Sequence, residues 1–125
     1  MSMKMNTKAT NIVLSESVTD YLNKKIEDVK RLLDLSDETL FMQVDLGRTT
    51  RHHHSGEIFR AEINIFSSRG QFRAVTERQD LFSAIDGVKE EIMTEIARRK
   101  GRRLSLLKRG GQKIKAMLRG LYRKK

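Results

Sequence analysis

From Ser15 to Leu33 the apolar residues Val18, Tyr21, Leu22, Ile26, Val29 and Leu33 recur at steps of three and four. That spacing predicts an amphipathic helix buried along one stripe. Ser15 suits its N-cap, and Glu16 complements the positive end of the helix dipole. Asp20–Lys24 and Glu27–Arg31 are acid-before-base pairs at i, i+4, which a solvated helix face explains. The period then changes to two. Leu40, Met42, Val44 and Leu46 alternate with Phe41, Gln43 and Asp45; Phe59, Ala61, Ile63 and Ile65 with Arg60, Glu62 and Asn64; Phe72 and Ala74 with Arg73 and Val75. Such alternation predicts strands with one buried face. Met3 to Lys8 alternates more weakly, as a further strand.

Ser67 to Gly70 reads as a short hairpin connection and Gly47 to Glu57 as a longer polar loop. A second helix opens at Asp80, a good N-cap, and carries Leu81, Ala84, Ile85, Val88, Ile92 and Ile96 on one face. Gly87 lies inside it at a cost of about 1 kcal/mol relative to Ala, which close packing would explain. The order strand, helix, three strands, helix predicts an α+β domain, β-α-β-β-β-α. The first helix joins two parallel neighbours by a crossover, the last three strands form a meander, and both helices cover one face of a four-stranded sheet. The domain spans 1–100. Residues 101–125 form a basic tail, in which Ile114, Met117, Leu118 and Leu121 could line a short helix.

Charge changes the picture more than composition does. All 16 acidic residues lie at or before Glu95, with 13 Lys and Arg among them, so residues 1–95 carry −3. The other 13 Lys and Arg follow, so residues 96–125 carry +13. A basic segment on a mildly acidic domain calls for a polyanionic partner, nucleic acid before an anionic membrane. There is no Cys, which excludes disulfides and thiolate chemistry, and no apolar run reaches the ~18 residues of a membrane span. No signal-peptide pattern opens the chain, and the expectation is a soluble cytoplasmic protein.

Catalytic chemistry finds no support. His52-His53-His54 are consecutive in a loop, where three imidazoles rarely converge on one ion, so a polar loop is the expectation and no metal or other cofactor is implied. No phosphate-binding Gly motif is present. Arg69-Gly70-Gln71-Phe72 faintly matches an aromatic RNA-binding strand motif, but its companion aromatics and element order are missing. The candidate RNA-binding cations are Lys24 and Lys25 on the first helix, Arg73 on the last strand, and Arg98, Arg99, Lys100, Arg102 and Arg103 at and beyond the end of the second helix. Arg98–Lys100 would also suit a helix C-terminus for dipole reasons alone.

Two stretches carry a family resemblance. Ala9-Thr10-Asn11-Ile12-Val13-Leu14-Ser15, followed by Tyr21-Leu22-Asn23-Lys24-Lys25-Ile26, resembles the opening of the ribosome hibernation promoting factor family, also called ribosome-associated inhibitor. Glu77-Arg78-Gln79-Asp80-Leu81-Phe82-Ser83-Ala84-Ile85-Asp86 is similar to its second-helix signature, and Phe59-Arg60-Ala61-Glu62-Ile63 after a His-containing loop also fits. The likeness covers roughly residues 3–100. It implies a fold similar in plan to double-stranded RNA-binding domains. It also implies a non-enzymatic partner of the small ribosomal subunit and its ribosomal RNA, occupying the messenger- and transfer-RNA channel of idle ribosomes under stress. Lys24, Lys25, Arg98, Arg99 and Lys100 match the family's basic helix positions. Glu91 and Thr94 depart from it, standing where Lys or Arg is usual, and with Glu90 and Glu95 they leave this part of the helix acidic. With 25 residues beyond Lys100, the expectation is a short form without the dimerisation domain of the family's long members. A free duplex-RNA-binding module is the alternative, and a membrane-surface protein using the tail stripe a weaker one.

Overall fold

The computed structural model describes residues 3–50 and 56–119. Strand β1 (Lys4–Thr10), helix α1 (Glu16–Lys30), β2 (Phe41–Thr50), β3 (Glu57–Ser67), β4 (Gly70–Arg78) and α2 (Leu81–Arg119) follow in that order. The chain divides into two compact units, residues 1–95 and 96–125. In the first, the strands form one sheet in sequence order, with β1 parallel to β2 and the other pairs antiparallel. This is the expected α+β arrangement of a crossover followed by a meander.

The alternation in the sequence decides which way the sheet faces. Met42, Val44 and Leu46 of β2, Ala61, Ile63 and Ile65 of β3, and Phe72 and Ala74 of β4 are buried, as are Val18, Leu22, Ile26 and Val29 of α1 and Ala84, Ile85, Val88 and Ile92 of α2. Thr76 shares the buried side of β4, and its hydroxyl donates to the Ala84 carbonyl at 2.8 Å. Gly87 follows three residues on. A Cβ there would stand 2.9 Å from Arg78 Nη2, the movable end of that side chain, and 3.4 Å from Thr76 Cγ2, an ordinary contact, so an alanine would require only that the Arg78 guanidinium shift. The opposite face of the sheet carries Lys4, Asn6 and Lys8, then Phe41, Gln43 and Asp45, then Arg60, Glu62, Asn64 and Phe66, and finally Gln71 and Arg73.

Both helices start where the sequence places them. The Val18 amide donates to Ser15 Oγ at 3.2 Å, and the Ser83 amide to Asp80 Oδ2 at 2.9 Å, so each cap satisfies one of the unpaired N–H groups of the first turn. The far end of α2 differs from expectation. The helix runs through Gly101 to Arg119. The chain has no proline to stop it, and each interior glycine costs only about 1 kcal/mol.

Asp37, between α1 and β2, ties that connection to the β3–β4 turn. One carboxylate oxygen accepts from the Thr39 amide and hydroxyl at 2.9 and 2.7 Å, the other from the Ser68 amide and hydroxyl, both at 2.9 Å. The Ser68 amide, followed by the Thr39 groups, holds this carboxyl far below the usual carboxylate range. Among the described residues no helix is long and apolar enough to cross a membrane, and no three His, Asp or Glu gather as metal ligands. His52–His54 and Leu121 lie outside the described residues, as do the side chains of Ile114, Met117 and Leu118.

Candidate nucleic-acid interface

Lys24 and Lys25 are neighbours in sequence but not in environment, because successive helical residues point about 100° apart. Lys24 is exposed. Lys25 is half-buried, with its Nζ 3.4 Å from Asp86 Oδ1 and 4.9 Å from the centre of the Tyr21 ring. The Tyr21 hydroxyl donates to the same Asp86 oxygen at 2.6 Å, and its ring meets Phe82 edge-on, centroids 4.9 Å apart. Phenol, ammonium and carboxylate thus link α1 to the start of α2. The Tyr21 hydrogen bond, and then the Lys25 ammonium, hold the Asp86 carboxyl below its ordinary value, while that hydrogen bond raises the Tyr21 hydroxyl.

A second ionic tie joins the same helices one turn further along. Lys89 Nζ lies 3.0 Å from Glu90 Oε2 and 3.5 Å from Asp28 Oδ2. Its ammonium is raised above the usual lysine value, first by Glu90 and then by Asp28. Lys25 and Lys89 therefore do structural work between the helices, and Lys24 is the exposed cation of this pair of faces.

Arg73 stands on the other side of the sheet. Its Nε donates to Glu62 Oε2 at 2.8 Å, while Arg60 Nη2 lies 2.9 Å from Glu62 Oε1. Glu62 is well covered, with its side chain 12% exposed. Burial alone would raise its pKa, but hydrogen bonds from Asn64, Arg73 and Arg60 outweigh that and lower it. Arg73 is thus separated by the thickness of the sheet from Lys24 and Lys25, and these cations do not form one patch. Lys4 and Lys8, overlooked in the sequence, are exposed on β1 and share the face of Arg73.

In the second unit Arg98 and Lys100 are exposed and Arg99 is half-buried on α2. The helix continues to Arg119, so no C-terminal dipole lies at Lys100 to explain these cations. Arg102 and Arg103 fall on the same helix, and their side chains lie outside the described part. The acidic stretch is placed in the first unit, with Glu90 and Glu91 exposed and Glu90 engaged by Lys89.

A family model described as sigma 54 modulation protein / S30EA ribosomal protein matches residues 5–104. The crystal structure of the Thermus thermophilus Protein Y N-terminal domain superposes with a TM-score of 0.62 at 26% identity, over 77% of this chain and 98% of that one. A ribosomal subunit interface protein from Coxiella burnetii has the same fold, with a TM-score of 0.62 at 12% identity over 79% of this chain and 99% of that one. No curated protein sequence matches significantly.

Proposed function

We propose, from the premise that this chain belongs to the sigma 54 modulation protein / S30EA ribosomal protein family, the hibernation factors, that it silences idle ribosomes by occupying the messenger- and transfer-RNA channel of the small subunit. The observation that carries this reading is the family match over residues 5–104, which runs from β1 through α1 and the other three strands into α2. The charge distribution supports it. Residues 96–125 carry +13, a strong attraction toward ribosomal RNA, whereas the folded unit at −3 must be positioned by local groups. Lys24 on α1 and Arg98, Arg99, Lys100, Arg102 and Arg103 on α2 are the proposed phosphate contacts. Lys25 contributes by way of its link to Asp86, and Arg73 reaches only what lies against the open sheet face. The domain at 1–100 supplies position and the segment from 101 supplies attraction.

The action is occupancy without catalysis, in the cytoplasm where ribosomes work. Co-sedimentation with purified small and large subunits tests the partner. The chain should travel with the small subunit and with whole ribosomes, and recovery with the large subunit alone would overturn the assignment.

A further inference from the structure

The open face of the sheet holds an arrangement separate from the helix cations proposed above as ribosome contacts. Phe41 of β2 and Phe66 of β3 are directly paired across the strands, their rings stacked with centroids 6.1 Å apart and planes 27° from parallel. Phe66 leaves 40% of its surface to solvent. The same cross-strand row continues to Lys4 on one side and Gln71 on the other. Adjacent strands lie about 4.8 Å apart, so the row presents cation, ring, ring and amide within about 15 Å.

The next row is Asn6, Gln43, Asn64 and Arg73. Its amides are ordered by their own hydrogen bonds. Asn6 Nδ2 donates to Gln43 Oε1 at 3.1 Å, Gln71 Nε2 to Asn64 Oδ1 at 3.4 Å, and Asn64 Nδ2 to Glu62 Oε2 at 2.8 Å. Lys4 and Lys8 on the edge strand are exposed and make no ion pair among the described residues.

We infer that this face binds single-stranded RNA, with an unpaired base stacked on the Phe41–Phe66 platform, amides of the neighbouring rows against its edge, and its phosphates toward Lys4 and Lys8. A nucleotide matches all three features. It has an apolar planar face, a hydrogen-bonding edge and an anionic backbone, and every base offers the planar face. A protein helix would require a broad apolar stripe, whereas in the two rows of Lys4 and Asn6 the rings are flanked only by polar side chains, and the other apolar residues of this face, Val75 and Ile58, stand two or more rows away. The inference stands apart from the ribosome assignment, because an isolated oligonucleotide suffices to test it.

The test measures binding of the full-length chain to hexauridylate and to an abasic ribose-phosphate hexamer at the same salt concentration. The basic segment attracts both oligomers alike, since it meets only phosphates. Phe66→Leu keeps an apolar side chain on an exposed position and should lower hexauridylate affinity about fivefold to tenfold, leaving the abasic oligomer unchanged. Side-chain amide resonances of Gln43, Asn64 and Gln71 should shift with hexauridylate and not with the abasic form. Equal affinities for both oligomers, or an F66L variant that binds hexauridylate as the parent does, would overturn the inference. So would a change in self-association of F66L without a change in affinity, which would make the platform a contact between two copies of the chain.

Discussion

Reversing charge at Lys24 and at Lys25 separates a cation that serves binding from one that also holds the fold. Lys24 is exposed and Lys25 is 28% exposed, in an ion pair with Asp86, itself 49% exposed, and above the Tyr21 ring. Both partners remain open to solvent, so the pair is worth the ~0.2–1 kcal/mol of screened surface bridges, and the ring contact about 0.5–1 kcal/mol. Lys25→Glu forfeits both and sets a second carboxylate beside Asp86, for a total loss of about 1–2 kcal/mol. In a unit of this size that corresponds to a fall in Tm of about 4–16 °C. Lys24→Glu touches no such cluster and should stay within about 0.5 kcal/mol of the parent. Calorimetric melts of the two variants, beside small-subunit binding across a salt series, check both halves. Lys24→Glu should weaken binding and lower the salt slope by about one unit, with the melt unchanged. Equal melting of the two variants would refute the assignment of Lys25 to the interhelical link.

Asp80→Ala removes the cap on the Ser83 amide and should cost about 0.5–2 kcal/mol in denaturant unfolding, with a smaller effect on RNA binding at temperatures where the variant remains folded. Asp37, Glu62 and Asp86 all have lowered folded-state pKa values, so their stabilisation is complete above the ordinary carboxylate range and is lost as pH falls through the lowered values. Unfolding free energy should therefore decline from about pH 4 to about pH 2, and Asp37→Ala should make that decline shallower. Truncation after Lys100 should flatten the dependence of small-subunit affinity on salt by on the order of four units of log K per log salt, if about six phosphates are engaged. Parallel slopes for the full and shortened chains would remove the basic segment from the interface.

What the sequence made legible was whatever depends on local periodicity. The stripe Val18, Leu22, Ile26 and Val29 and the alternation Met42, Val44, Leu46 each assign an element and its buried face, and both assignments hold in the structure. Strand β1 was faint because it is an edge, with only Thr7 partly covered between Lys4 and Thr10, so burial imposes almost no pattern on it. Strand β4 runs three residues past the Phe72–Val75 alternation, since Thr76 fills a core position with a hydroxyl that the Ala84 carbonyl satisfies. The candidate site was less legible. Tyr21 and Asp86 are 65 residues apart, and nothing in the sequence pairs them. Charge patterning found Lys25 and Arg73 but not that one faces the interhelical groove and the other the far side of the sheet. Only strand register reveals the Phe41–Phe66 platform, because Phe66 directly follows the last residue of the apparent alternation.

The central claim, occupancy of the messenger- and transfer-RNA channel, is tested most directly by competition on isolated small subunits. Subunits carrying labelled messenger and initiator transfer RNA are titrated with the full chain, and bound RNA is followed at fixed salt. Both RNAs should be displaced, at midpoints that lie above the chain's own dissociation constant and rise with the concentration of free RNA, and preloading the RNAs should weaken its binding in turn. Simultaneous binding of chain, messenger and transfer RNA to one subunit, at concentrations that saturate all three, would contradict the account.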